Sequence, residues 1–330
     1  MNVMERHGSP SRSTGRPTPA AGIIATRRPA ARRLGTELAG RLPDPVDLVA
    51  AAGVGFARLA DDACQAGQRL VAPGIGPTHG VRTPLLAEVE RSLLKASRGT
   101  SPDHLLLAAH HLLGATCQEE HWLAIGLLAE TLRPDPERTW QVLRRAARDA
   151  GDWISVDTLA RAAACGVLAE PYRWAELEQL VYSPSRWERR LVGSTIATIP
   201  FVDRDLGRAP EIASRALAIL ADLIGDADPE VQKALAWAYR SLLLVDPASV
   251  EAALLAEAEQ AAVMGDGHRA RVLRDVTPKL RAGTADRLGE RLTGIRRRRS
   301  APPTSRAAAT AAAFGVAAGA ADHSEPPRLQ

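Results

Sequence analysis

Between residues 44 and 295 the apolar positions recur at intervals of three and four. Leu105, Leu106, Ala109, Leu112 and Leu113 form one such stripe, and Leu123, Leu127 and Leu128 another. This spacing gathers apolar side chains on one face of a helix. The stripes are separated by breaks at Thr83-Pro84, Ser101-Pro102-Asp103, Pro134-Asp135-Pro136, Pro171, Ser183-Pro184, Asp228-Pro229 and Asp246-Pro247. Such residues start and stop helices. The pattern predicts about a dozen helices of roughly 12–20 residues, joined by short connections that make consecutive helices antiparallel.

Stacked antiparallel pairs of this length, each covering about 40 residues, resemble HEAT-type repeats. The expected fold is all-α, an α-solenoid of HEAT-like helix pairs; a compact irregular bundle is the alternative. Composition points the same way. Ala, Leu and Arg dominate, and all three enter helices at little cost. Aromatic residues are only 4% of the 330-residue chain, and Trp supplies six of them. No series of short β-branched and aromatic runs suggests a sandwich or barrel, and no apolar strand runs alternate with the helices. No stretch reaches the roughly eighteen apolar residues of a membrane-spanning helix, so an integral membrane protein is excluded.

The charge is unevenly distributed. Residues 1–43 carry eight Arg against two acids, a net +6, and residues 296–330 carry six Arg against two acids, a net +4. Residues 44–295 carry 28 basic against 34 acidic residues, a net −6. Both ends are rich in Pro, Ser, Gly, Ala and Arg without apolar periodicity. Segments 1–43 and 296–330 are accordingly read as disordered arms and 44–295 as the HEAT-like repeat domain. The run Arg296–Arg299 is either a sequence-independent phosphate contact or a solvated tail. No secretory signal is expected, because no apolar segment follows Arg27-Arg28. The Ala-rich stretch 307–321 reads as a flexible tail, not a membrane anchor. Cys64, Cys117 and Cys165 lack C-x-x-C spacing, which fits buried thiols in a reducing, cytoplasmic setting.

Three segments pair tryptophan with charge. Trp153 and Asp157 share a helix face, as do Trp237 and Arg240; Trp187-Glu188-Arg189-Arg190 is the third. Taken singly, each has a plain alternative, a core Trp with an Arg lying along it. Together they resemble the AlkD-like family of DNA alkylation repair proteins, which are HEAT-like-repeat DNA glycosylases. The matching elements are W-x-x-x-D (Trp153 to Asp157), W-x-R-R (Trp187 to Arg190) and K-A-x-x-W-x-x-R (Lys233-Ala234 through Trp237 to Arg240). An earlier G-V-R-x-P-x-L element matches Gly80 to Leu86, and the resemblance covers about residues 78–265. Family members often carry Asp directly after the motif Trp, where this chain has Ile154.

The resemblance implies a concave groove that engages a lesion through the DNA backbone. It implies that Asp157 is the catalytic carboxylate, that Trp153 and Trp237 are aromatic walls, and that Arg190 and Arg240 hold phosphates, with Arg189 as an ambiguous neighbour. The implied reaction releases cationic N3- or N7-alkylated purines from double-stranded DNA, without metal or cofactor, by a monomer in the cytoplasm and nucleoid. Cleavage passes through an oxocarbenium-like sugar, which an ionised carboxylate stabilises electrostatically, while Trp faces suit cationic surfaces. Against a repeat domain of net −6, DNA binding requires a local stripe, for which Arg144, Arg145, Arg148, Arg189, Arg190 and Arg240 are the candidates. The rival expectation is a non-catalytic HEAT-repeat scaffold binding DNA or protein, which would bury its tryptophans and scatter these charges. His104, His110, His111 and His121, with Glu119 and Glu120 nearby, lack H-E-x-x-H spacing and are read as helix-face residues. Gly74-Ile75-Gly76-Pro77 lacks the Lys-Ser/Thr of a phosphate loop.

Overall fold

The breaks in the sequence pattern coincide with helix starts in the computed structural model, which describes residues 19–298, 300–305, 307, 309 and 310. The helices run as α1 (Pro19–Ala39), α2 (Pro45–Leu59), α3 (Asp62–Val71), α4 (Thr83–Ala96) and α5 (Pro102–Leu113). They continue as α6 (Gln118–Thr131), α7 (Pro136–Asp149), α8 (Trp153–Ala169), α9 (Arg173–Leu180) and α10 (Arg186–Val202). The last are α11 (Pro210–Leu223), α12 (Pro229–Leu242), α13 (Pro247–Met264), α14 (Gly267–Val276) and α15 (Ala282–Arg291). Among the described residues the only pairing of β type is one isolated bridge, Ala60 to Val81, and no helix is long and apolar enough to cross a membrane.

Local chemistry sets these boundaries. Asp44, Ser101, Asp135, Asp228 and Asp246 each precede a helix, accept a first-turn backbone N–H, and are followed by Pro at the first helical position. The side chain satisfies one orphan donor, and Pro occupies a site whose N–H would lack a partner anyway. α13 ends on Gly265 at φ 62°, a left-handed cap that a side chain would strain.

The chain is an all-α solenoid. α4, α6, α8, α10, α12 and α14 pack side by side as one layer, and α5, α7, α9, α11, α13 and α15 flank it. Two apolar cores, one N-terminal and one C-terminal, meet at α6, where Trp122 packs against both.

The two arms need correction. Within 1–43, residues 19–39 form α1, which packs along α4. Its buried positions are Ala31, Leu34, Gly35 and Leu38, a narrow stripe of the i, i+3, i+4, i+7 kind. Gly35 permits the contact, because a Cβ there would fall 2.2 Å from the Val89 carbonyl oxygen. Several of its arginines have internal partners. Arg27 donates to the carbonyls of Leu59 and Ala60, Arg32 Nε lies 3.0 Å from Glu88 Oε1, and Arg41 pairs with Asp47. At the other end, the segment from 296 onward begins docked. Arg297 Nη2 donates to Ala227 O at 3.1 Å, Ala301 O lies 3.0 Å from His268 Nε2, and Thr304 N donates to Gly225 O at 2.9 Å. Residues 1–18, Arg299 and most of the Ala-rich stretch lie outside the described residues.

Gly35→Ala is expected to destabilise the protein by about 1–3 kcal/mol, since added bulk meets backbone and not a side chain that can move. Gly22→Ala, which meets open space, is expected not to lower the melting temperature. Thermal unfolding of the two variants checks both.

Candidate active site

Asp152 caps α8, accepting from the backbone N–H of Ile154 at 2.8 Å and of Ser155 at 3.0 Å. This fixes Trp153 as the first helical residue. The other face of α8 is buried through Val156, Leu159, Ala160 and Ala163, leaving Trp153, Ile154, Asp157, Thr158, Arg161 and Cys165 as its open stripe. On α12 the only residues from Glu230 to Arg240 left partly or fully open are Glu230, Lys233, Trp237 and Arg240. α10 packs between these two helices and is buried from Trp187 to Pro200. Gly193 allows its close contact with α12, where a Cβ would lie 3.0 Å from Ala234.

Arg190 joins the three helices. Its Nε donates to Asp157 Oδ1 at 3.0 Å and its Nη2 to Asp157 Oδ2 at 2.8 Å. Its Nη1 donates to the Glu230 carbonyl at 2.6 Å and lies 3.2 Å from Glu230 Oε2. Ser194, one turn along α10, donates to Asp157 Oδ1 at 2.6 Å. The guanidinium also sits 5.9 Å from the Trp153 ring centroid, within cation–π range. Asp157 keeps 18% of its side-chain surface open, whereas Arg190 keeps 5%. The carboxylate is thus oriented from behind and reaches solvent on the open stripe. Because Arg190 reaches both Asp157 and Glu230, the stripes of α8 and α12 open on the same side of the layer.

Beside this stripe lies a cavity of about 490 Å³ between α4, α6 and α8, whose walls include Glu90, Trp122, Ile154, Thr158, Arg161 and Cys165. Burial pushes the Glu90 carboxyl above its ordinary pKa, with Arg161 opposing the shift. Gly126 leaves the space that Glu90 occupies, since a Cβ there would meet Glu90 Oε1 at 2.6 Å.

The expected residues therefore divide. Trp153, Asp157 and Arg190 come together, and Trp237 stands on the neighbouring stripe, across α10 from Asp157. Trp122, Trp153 and Trp237, the three partly open tryptophans, all lie in the α4–α14 layer, while Trp140, Trp174 and Trp187 are buried. The arginines expected to hold phosphates all have partners within the protein. Arg189 points inward, with Nε 2.7 Å from Asp226 Oδ2 and Nη1 on the carbonyls of Ser183 and Pro184. Its Nε and Nη1 are thereby engaged within the protein. Arg190 is likewise engaged by Asp157 and Glu230. Arg240 remains partly open, donating to Asp275 O at 2.9 Å. In the rest of the expected stripe, Arg144, Arg145 and Arg148 pair with Glu176, Asp149 and Glu188.

Sequence reasoning missed Ser194, Glu230, Trp122 and Arg161. Arg161 carried a legible signal: it lies four residues after Asp157 on the same face. It is exposed, and its charge acts on Glu90, which lines the same cavity. The four histidines do not assemble with Glu119 and Glu120. His121 Nε2 lies 2.8 Å from Ala115 O, and His104 and His110 are exposed. Glu119 is buried and accepts the backbone N–H groups of His79, Gly80 and Val81 at 2.9–3.0 Å. The Gly80-Val81-Arg82 element is thereby a structural junction, with Gly80 at φ 81°.

Comparison with known families matches residues 56–265, well over half of the chain, to the family described as DNA alkylation repair enzyme. The match includes every motif residue named above. No curated protein and no solved structure matches the chain.

Removing the Arg190 side chain strands a carboxylate and a carbonyl, so Arg190→Ala is expected to cost about 3 kcal/mol of stability. Ser194→Ala removes one neutral donor and is expected to cost about 1 kcal/mol. Denaturant unfolding measures both, and wild-type stability in Arg190→Ala would show that the three-helix contact holds nothing together.

Proposed function

The chain belongs to the DNA alkylation repair enzyme family, and on that premise we propose that it is a DNA glycosylase releasing cationic N3- or N7-alkylated purines from duplex DNA. Family membership makes DNA its substrate. The specific reaction follows from the carboxylate. Alkylation makes the purine cationic, so the C1′–N9 bond breaks with its electron pair leaving on the base, which departs neutral. Positive charge develops on the sugar. Asp157 is a negative group already oriented by Arg190 and Ser194, so it opposes that charge without reorganising. Water then adds to C1′ and gives up a proton, for which the same carboxylate is the nearby acceptor. Trp153 and Trp237 offer faces to the sugar and the cationic nucleotide. No step requires a metal or cofactor.

The observation that carries this reading is Asp157 itself, held bidentate from the buried side and open on the side shared by Trp153 and Arg161. For phosphates, the proposal turns to Arg161 and Arg240, which stay at least partly open. We take the protein to act as a monomer in the DNA-containing cytoplasm, where its three thiols, free in this structure, would stay reduced. One observation favours a second reading, a DNA-binding relative without catalysis: both Asp157 oxygens already accept hydrogen bonds.

The experiment is release of 7-methylguanine and 3-methyladenine from methylated duplex DNA. Wild type is expected to release them, and Asp157→Asn to slow release by about 10²–10⁴-fold with duplex binding retained. Binding without release by wild type would overturn the glycosylase and leave the second reading. Arg161→Ala is expected to weaken duplex binding across sequences and to lower the salt slope by about one.

A further inference from the structure

The α3–α4 connection and the first turn of α6 bring three potential metal ligands together at a place no part of the proposed reaction uses. The imidazole of His79, the thiol of Cys117 and the carboxylate of Glu120 each offer a ligand atom, and these atoms all lie within 4.8 Å of one another. We propose that His79, Cys117 and Glu120 bind one zinc ion, which fastens the α3–α4 connection to α6.

The first support is an unpartnered atom. Glu120 is 3% exposed, and its Oε2 has no hydrogen-bond partner. A buried carboxylate oxygen left bare is costly, and a divalent cation would satisfy it.

The second support is spacing. His79 Nε2 already lies 3.0 Å from Glu120 Oε1. A tetrahedral zinc with bonds of 2.0–2.3 Å sets its donor atoms roughly 3.3–3.7 Å apart. The largest separation among the three donors, within 4.8 Å, leaves about 1 Å to close on binding. Cys117 occupies the N-cap position of α6 yet makes no side-chain capping bond there, so its sulfur is uncommitted.

The third support is the surrounding frame. The backbone N–H of His79 is fixed by Glu119 Oε2 at 3.0 Å, and its ring packs against Phe56 with centroids 5.9 Å apart. Gly53 of α2 leaves room on another side, since a Cβ there would come 3.4 Å from Glu120 Oε1. Ligands held by such contacts are pre-oriented. One nitrogen, one sulfur and one oxygen donor favour zinc over magnesium or calcium, which take oxygen ligands. The fourth coordination position falls to water.

This departs from the sequence-based expectation of no metal, which weighed His104, His110, His111 and His121. His79 stands far from Cys117 and Glu120 in sequence, and only the fold unites them.

The test uses the full-length protein stripped with chelator and titrated with Co²⁺, then Zn²⁺. One equivalent of cobalt is expected to give thiolate-to-metal charge-transfer absorption and tetrahedral d–d bands, both lost on adding zinc. Cys117→Ser is expected to abolish the charge-transfer band, while Cys64→Ala and Cys165→Ala keep it. Zinc is also expected to raise the melting temperature of wild type by several degrees and to leave that of Cys117→Ser and His79→Ala unmoved. Absence of the band in wild type, its survival in Cys117→Ser, or a melting temperature indifferent to zinc would each overturn the proposal.

Discussion

A single guanidinium, that of Arg190, ties α8, α10 and α12 together at the point where the chemistry is proposed to occur. A buried arginine must find partners for its donors, because an unpaired charge inside a protein is far costlier than a paired one. Asp157 and Glu230 supply them from the two neighbouring helices. The same contact that fixes the relative setting of three helices also fixes the direction of one carboxylate. Stability and orientation of the site are therefore one property, and the small residues around it, Gly193 and Ser194, are what let the helices come close enough to make it.

The electrostatics follow a similar economy. The arginines that make the chain ends basic are partly consumed within the fold, as Arg27, Arg32 and Arg41 illustrate. In the acidic middle, Arg144, Arg145, Arg148 and Arg189 are answered by nearby acids. Arg161 is an exposed cation one turn from Asp157, with Glu90 on the wall of the same cavity but no ion pair among the described residues. Net charge thus says little about where a polyanion would sit; the local balance along the open stripes says more.

The helical architecture was readable from the chain because its signals are local. Asp-Pro and Ser-Pro pairs predicted helix starts that the caps and first turns bear out. α1 was not readable, because its buried stripe is only four small or medium residues wide amid many arginines, and its partner α4 lies some fifty residues away. The pairing of Trp153 with Asp157 was legible as helix spacing. The fate of Arg189 and Arg190 was not: adjacent arginines on one helix point about 100° apart, and only the positions of Asp226 and Asp157 decide what each one meets. Glu119, noted in the sequence only as a neighbour of four histidines, is the anchor of a loop forty residues earlier.

The account rests on Asp157 facing a damaged sugar while Arg190 holds it from behind. The most direct measurement is a crystal structure of the protein with duplex DNA containing a cationic pyrrolidine analogue of the deoxyribose. The account predicts an Asp157 oxygen within hydrogen-bond distance of the ring nitrogen, with the Arg190 contact intact. A complex in which the analogue binds elsewhere, or in which Asp157 stays turned away from it, would contradict the account.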